Sequence, residues 1–245
     1  MESYDPATYG ERIADIYDDL YERMSDVETT VATLAELAAG GSALELGIGT
    51  GRIAVPLAAR GVTVHGIDSS AAMVERLKAR PGGATIPISI GDFAEVRVEG
   101  RFSLVYVVFN TFFGLPSQEA QIRCFASVAH HLEPGGAFVI EAFVPDPARF
   151  AGGQNTQTSR VEVDRVIIDL SRHDPVDQRV VTQHVLIEPS GVRLCPVQIR
   201  YAWPSELDLM ARLAGLRLHA RWEGWHRQPF TARSPSHVSV YRPGP

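Results

Sequence analysis

The sequence predicts an α/β fold in which a doubly wound, mostly parallel sheet follows N-terminal helices and is interrupted late by an inserted antiparallel sheet. Three observations carry this. A buried strand runs through a glycine turn into a helix at Ala43-Leu44-Glu45-Leu46-Gly47-Ile48-Gly49-Thr50-Gly51-Arg52. Downstream, short β-branched runs alternate with helical stretches, the order that covers both faces of a parallel sheet. Over residues 161–203 the apolar residues then recur at every second position, which is the period of strands.

The glycine turn organises the rest. Glycine reaches backbone conformations closed to other residues and lets a ligand touch the main chain. The helix behind it aims unpaired N–H groups and the positive end of its dipole at whatever occupies the turn. A dinucleotide pattern, G-x-G-x-x-G, would need its third glycine where Arg52 stands, but here it comes one position early, at Gly51. An acidic residue, Glu45, also precedes the first glycine inside the strand.

Ahead of the turn, Tyr9, Ile13, Ile16, Tyr17, Leu20 and Met24 recur at helical spacing, with Glu11, Asp15, Asp18, Asp19 and Glu22 on the other faces. One amphipathic helix is predicted there, and a second over residues 28–39, stopped by Gly40-Gly41. Residues 62–67 form a strand ending in Asp68, after which Ser69 or Ser70 caps a helix. Residues 85–90 form the next strand and lead to Gly91-Asp92-Phe93. The fourth, residues 101–108, is almost continuously apolar and opens into Phe109-Asn110-Thr111-Phe112-Phe113-Gly114. A helix from Ser117 ends at His130-His131, and Leu132-Glu133-Pro134-Gly135-Gly136 turns the chain into a fifth strand over residues 137–143.

The inserted sheet can roof the active site or pair with a second subunit. Pro204-Ser205-Glu206 then opens a helix that ends at Gly215, and residues 216–222 and 237–241 supply the last two strands around an aromatic loop of Trp222, Trp225, His226 and Phe230. The expected organisation is a single domain over residues 1–245, with lid helices in 1–40, a core in 41–150 and 204–245, and the insertion in 151–203.

Composition narrows the function. With 45% apolar and 21% charged residues over 245 positions, the chain reads as one soluble globular domain. A net charge of −6 offers no basic stripe for a phosphate backbone, so nucleic acid is a poor substrate. Cys124 and Cys195 are far apart and read as small buried hydrophobes, with no metal site or disulfide framework. No apolar run approaches the ~18 residues of a membrane span and the acidic N-terminus is unlike a signal peptide, so a cytoplasmic protein without membrane association is expected.

The acidic-apolar-Gly-x-Gly-x-Gly turn, followed by Asp68, Asp92 and Pro134-Gly135-Gly136 in that order, resembles class I S-adenosylmethionine-dependent methyltransferases, which have a Rossmann-like sheet. The resemblance implies S-adenosyl-L-methionine as cofactor, with Glu45, Gly47, Gly49, Gly51 and Arg52 at its loop. It implies that Asp68 with Ser69 meets the ribose, and that Asp92 and Phe93 meet the adenine. Phe109 and Asn110, after the fourth strand, would face the reactive end.

The tyrosine helix and the inserted sheet are similar to actinobacterial natural-product N-methyltransferases of the amino-sugar and lincosamide type. In such enzymes the N-terminal helix folds across the site, so Tyr17 is expected at the cofactor, and Tyr9 and Tyr17 with Phe112 and Phe113 around the acceptor. The amino-sugar enzymes carry a histidine after the fourth strand, where this chain has Phe113-Gly114. That base is absent.

Methyl transfer is an in-line displacement in which the protein supplies alignment. An amine is nucleophilic without strong base help, whereas a hydroxyl needs a nearby proton acceptor. The segment after the fourth strand offers none, which favours an amine on a small molecule over an oxygen acceptor. His173, His184, His226 and His237 are expected to be packing residues. A nicotinamide enzyme is disfavoured by Arg52 and Glu45, and a nucleic-acid base methyltransferase by the absence of prolines after Asn110.

Overall fold

Strands that are apolar on both faces need cover on both, and the central sheet is built to receive it. The structure, a computed structural model, describes residues 4–21 and 26–244. Its seven-stranded sheet contains β1 (Ser42–Leu46), β2 (Thr63–Asp68), β3 (Ile88–Ile90), β4 (Phe102–Val107), β5 (Leu132–Phe143), β10 (Leu216–Trp222) and β11 (Ser236–Pro243), in the order β10-β11-β5-β4-β1-β2-β3. β1 lies between β2 and β4, parallel to both, with Leu44 opposite His65 and Val105. The strand order reverses at this point, so the ends of β1 and β4 frame the crevice where open α/β sheets hold ligands. β11 runs antiparallel between β5 and β10 and closes that edge as a hairpin.

Helices α3 (Val27–Ala38), α4 (Ala54–Ala59), α5 (Ala71–Ala79), α6 (Gln118–His131) and α7 (Pro204–Leu213) cover the sheet. Their boundaries follow the polar residues that satisfy free N–H groups. Asp26 accepts from Thr29 N at 3.0 Å, Ser70 from Met73 N at 3.2 Å and Ser117 from Ala120 N at 3.2 Å. Ser70 rather than Ser69 is therefore the cap of α5.

Three elements differ from the sequence reading. The predicted N-terminal helix is two short ones, α1 (Thr8–Ile13) and α2 (Tyr17–Tyr21), while Glu22 and Met24 lie outside the described residues. Its acidic residues reach different partners, Glu11 to Ser70 Oγ at 2.8 Å and Asp18 to Thr50 Oγ1 at 2.7 Å, which places the two pieces on different parts of the core. The third strand begins only at Ile88, because Gly83–Thr85 is a 3-10 turn. The fifth begins early, at Leu132, with Pro134-Gly135-Gly136 as a bulge where pairing with β4 jumps from Phe102↔Leu132 to Leu104↔Ala137.

The insertion is a separate four-stranded antiparallel sheet, β6 (Gln154–Val161), β7 (Val166–Asp174), β8 (Arg179–Glu188) and β9 (Gly191–Arg200), paired in chain order. β6 starts ahead of the alternating apolar pattern because it is an edge strand whose polar side chains face solvent. Val163, expected in a strand, is fully exposed in the turn that follows it. One face of the sheet packs Ile167, Leu186 and Cys195 against Ile13, Ala14 and Met73, so the N-terminal helices are held between the insertion and the core. Arg193 pairs with Asp15 at 2.6 Å across the same boundary.

The far end of β9 is clamped by Arg200, whose side chain is only 7% exposed. It donates to Gln121 on α6 at 2.6 Å and to Glu206 on α7 at 2.7 Å. Burial alone would raise the Glu206 carboxyl, but hydrogen bonds from Gln178, Arg200 and Gln118 hold it below the usual range. Removing one partner of such a pair strands the other charge. Glu206→Ala is expected to lose about 3 kcal/mol of stability in urea unfolding at neutral pH. Because the folded carboxyl titrates low, this contribution is present above the unfolded carboxylate range and fades as pH falls, so the variant and the wild-type protein should converge in acid.

Candidate functional site

Beyond the ends of β1, β2 and β4 lies a cavity of about 560 Å³. Its floor is the glycine turn. Gly47 and Gly49 have φ of +68° and +55°, which other residues adopt only under strain. A Cβ on Gly47 would stand 2.4 Å from Thr111 Cγ2, so the turn passes under the segment after β4 only as glycine. Asp68, at the end of β2, accepts from Gly49 N at 2.7 Å and from Ser70 N at 2.8 Å, tying the turn to the start of α5. Burial raises its carboxyl, opposed by hydrogen bonds from Ser70, Gly49 and Ser69.

Gly47, Gly49, Arg52, Asp68, Ser69, Asp92 and Phe93 line this end of the cavity. Arg52 is fixed by donation to Tyr21 O at 2.6 Å and lies 3.9 Å from the centre of the Phe109 ring. Phe109 and Asn110 both have positive φ, 54° and 64°. Glu141 of β5 and the Asn110 side chain hold this turn. Phe109 N donates to Glu141 Oε2 at 3.0 Å, and Phe143 N donates to Asn110 Oδ1 at 2.7 Å. Backbone strain of this kind persists only where neighbours over-determine it.

The other end is walled by Tyr4, Tyr9, Tyr21, Leu115, Pro116 and Phe143, and roofed by His184, Val197, Gln198 and Ile199 of the inserted sheet. Tyr17 lies between the two ends, its ring centre 4.9 Å from that of Tyr21, and the Tyr9 hydroxyl donates to that of Tyr21 at 2.8 Å. Burial raises all three phenols, so they stay neutral.

Four residues expected at the site do not line it. Phe112 and Phe113 are fully buried, packed on Phe125 and Phe143 respectively. The 3-10 turn Thr111–Gly114 rotates them into the core and leaves Thr111 and Gly114 on the cavity. Glu45 lies beneath the turn, where it accepts from the Tyr106 hydroxyl at 2.9 Å. Gly51 is a packing glycine, since a Cβ there would stand 2.7 Å from Leu77 Cγ.

Of the four histidines expected to be packing residues, His184 instead faces the cavity, whereas His173 bonds Tyr201, His226 pairs with Asp26 and His237 is buried. Tyr4, Tyr21, Glu141 and Gln198 were not singled out from sequence. A lone carboxylate inside the apolar fifth strand was the signal available for Glu141. Tyr4 and Gln198 arrive from opposite ends of the chain and carried none.

The donor set suits a cationic nucleoside. Asp68, Asp92 and Glu141 face the cavity against one full cation among its lining residues, Arg52, and the Phe93 ring offers a flat apolar wall. Among the described residues no cluster could hold a metal, and no helix is long and apolar enough to cross a membrane.

Comparison with known proteins agrees with this geometry. The family described as "Methyltransferase domain" matches residues 43–136. The solved structure of the CcbJ methyltransferase from Streptomyces caelestis is 40% identical, with a TM-score of 0.90 over 99% of this chain and 100% of that one. The chain belongs to the class I S-adenosylmethionine-dependent methyltransferases. S-adenosylmethionine is the cofactor of this methyltransferase. A cypemycin N-terminal methyltransferase from Streptomyces sp is 29% identical over 235 residues, 94% of this chain and 95% of that protein. A dTDP-4-amino-2,3,4,6-tetradeoxy-D-glucose N,N-dimethyltransferase from Saccharopolyspora spinosa is 28% identical over 197 residues, 76% of this chain and 77% of that one.

Glu45 gives the methyltransferase a testable pH signature. Burial pushes its carboxyl up to about 8, despite the hydrogen bond from Tyr106. Between the ordinary carboxylate range and that value the folded chain keeps a proton that the unfolded chain has released, so stability falls as pH rises. Glu45→Gln removes this linkage. Its unfolding free energy should change less between about pH 5 and pH 8 than that of the wild-type enzyme, by on the order of a few kcal/mol in denaturant titrations.

Proposed function

We propose that this methyltransferase methylates an amine nitrogen of a small natural-product acceptor in antibiotic assembly. The observation that carries the reading is one continuous cavity that joins the glycine turn to a tyrosine-walled end and is lined by more carboxylates than cations. Such a lining favours a sulfonium at one end and an ammonium at the other. The relatives named for N-terminal and amino-sugar nitrogen transfer support the same chemistry.

Arg52, the cation facing the cavity, is already committed to Tyr21 O and the Phe109 ring. The acceptor is accordingly one without a nucleoside diphosphate. Leu115, Pro116 and Phe143 suit an apolar body beside the amine.

Asp68 and Ser69 would hold the ribose hydroxyls, Asp92 and Phe93 the adenine, and the Gly47–Gly49 backbone with Tyr17, Arg52, Phe109 and Asn110 the amino-acid part of the cofactor. When bound, S-adenosylmethionine supplies an electrophilic methyl group on sulfur. The chain's own contribution is alignment: Tyr9 and Tyr17, held as neutral phenols, close the cavity over the reacting atoms and exclude water. Gly51, with its Cβ direction filled by Leu77, sets how closely the turn meets α5.

Asp68→Ala should weaken S-adenosylmethionine binding by about 1.5–3 kcal/mol in calorimetry, the scale of hydrogen bonds to a charged group. Unchanged affinity would place the ribose elsewhere. A mass-spectrometric screen with acceptor pairs differing only in amine or hydroxyl should show methyl gain on the amines alone, and on diphosphate-free members in preference to dTDP-sugars. Gain on the hydroxyl partners would move the reading to oxygen transfer.

A further inference from the structure

A neutral amine attacks carbon, but near neutral pH an aliphatic amine arrives as an ammonium ion, with its lone pair occupied by a proton. The cavity therefore needs a proton acceptor. The segment after β4 supplies Asn110, Thr111 and Gly114, none of which is a base.

The inserted sheet supplies what β4 does not. In register across β7, β8 and β9 stand Asp169, His184 and Cys195, on the face turned toward the N-terminal helices. His184 Nδ1 lies 2.6 Å from Asp169 Oδ1, and Ser159 Oγ donates to Asp169 Oδ2. Burial would raise the Asp169 carboxyl, but the hydrogen bonds from His184 and Ser159 hold it below its ordinary value, so it remains a carboxylate. A carboxylate can only accept, so Nδ1 carries the imidazole proton and Nε2 bears the lone pair. Among the described residues Nε2 has no hydrogen-bond partner, and it is not sealed from the cavity that His184 lines.

We propose that His184 is the proton acceptor for the acceptor amine, with Asp169 and Ser159 as positioning residues that fix its tautomer. In the step, an N–H bond of the ammonium breaks and its electron pair stays on nitrogen, while the proton forms a new bond to His184 Nε2. The imidazolium is stabilised by Asp169 and returns its proton to solvent. The other groups facing His184 are Cys195 on β9 and Tyr21 on α2, which is hydrogen-bonded to Tyr9, with Arg149 near Asp169 and Arg193 turned away to Asp15. Both phenols are kept neutral by burial, and neither competes as a base. The role rests on the proposed nitrogen transfer and names the residue that makes it work near neutral pH.

The test compares wild-type enzyme and His184→Gln across pH, using an amine methylated in the matched screen. A general base contributes about 10²–10⁴-fold, so kcat/KM of the variant should be roughly 10²-fold lower near neutral pH. The gap should close as pH approaches the amine's own pKa, where the free base arrives from solution. An equal loss at every pH, or no loss, overturns the role while leaving nitrogen transfer standing. A wild-type enzyme inert toward amines removes the proposed function and this role together.

A second readout needs no acceptor. Nitrogen-15 NMR of the histidine-labelled full chain, with the signal assigned by its disappearance in His184→Gln, should show the Nδ1–H tautomer, altered in Asp169→Asn. An Nε2–H tautomer in the wild-type protein overturns the proposal.

Discussion

The end of β1 must turn sharply under a ligand, and one carboxylate makes that turn rigid. Asp68 takes the N–H of Gly49 on one oxygen and that of Ser70 on the other, so the glycine turn and the start of α5 are held by the same group. Because Asp68 ends β2 and the turn ends β1, the two parallel strands are locked at the crevice where strand order reverses. Everything above them is placed relative to this pair.

The roof repeats that logic with charges. Asp18 links α2 to Thr50 and Arg80, Glu11 links α1 to Ser70, and Arg193 links β9 to Asp15. Each exposed ion pair is worth little alone, on the order of 0–1 kcal/mol. Together they register three layers: core, N-terminal helices and inserted sheet. The apolar packing of Ile13, Ile167 and Leu186 supplies the adhesion. The buried Arg200 network then fastens β9 to α6 and α7, so the roof cannot move without disturbing the core.

The cavity between these layers is electrostatically lopsided. Its carboxylates face inward, its one lining arginine is engaged with protein, and its phenols are neutral. A site of this kind favours cations at both ends, and a histidine paired with aspartate handles the proton that one of them must lose. No single residue confers this character; it comes from elements that are remote in the chain and meet only in the fold.

Local periodicity and turn chemistry act over a few residues, and what depends on them was legible in the sequence. The glycine turn, the β–α alternation, the caps at Ser70 and Ser117 and the period-2 insertion belong to that class. So do Asp68 and Asp92, whose positions follow from the strands they terminate. Which way a side chain points after a strand ends is decided by a single turn of backbone. The 3-10 turn at Thr111–Gly114 sent Phe112 and Phe113 into the core and brought Thr111 and Gly114 to the cavity. Glu45 was drawn beneath the loop by Tyr106, a partner 61 positions away. His184 gained its meaning only when β7 brought Asp169 beside it and the insertion folded over the crevice. The sequence by itself determined the fold and the cofactor end, because both rest on near-neighbour patterns. Only the tertiary structure decided the acceptor end, because that end is assembled from Tyr4 to Ser236 by contacts no local pattern encodes.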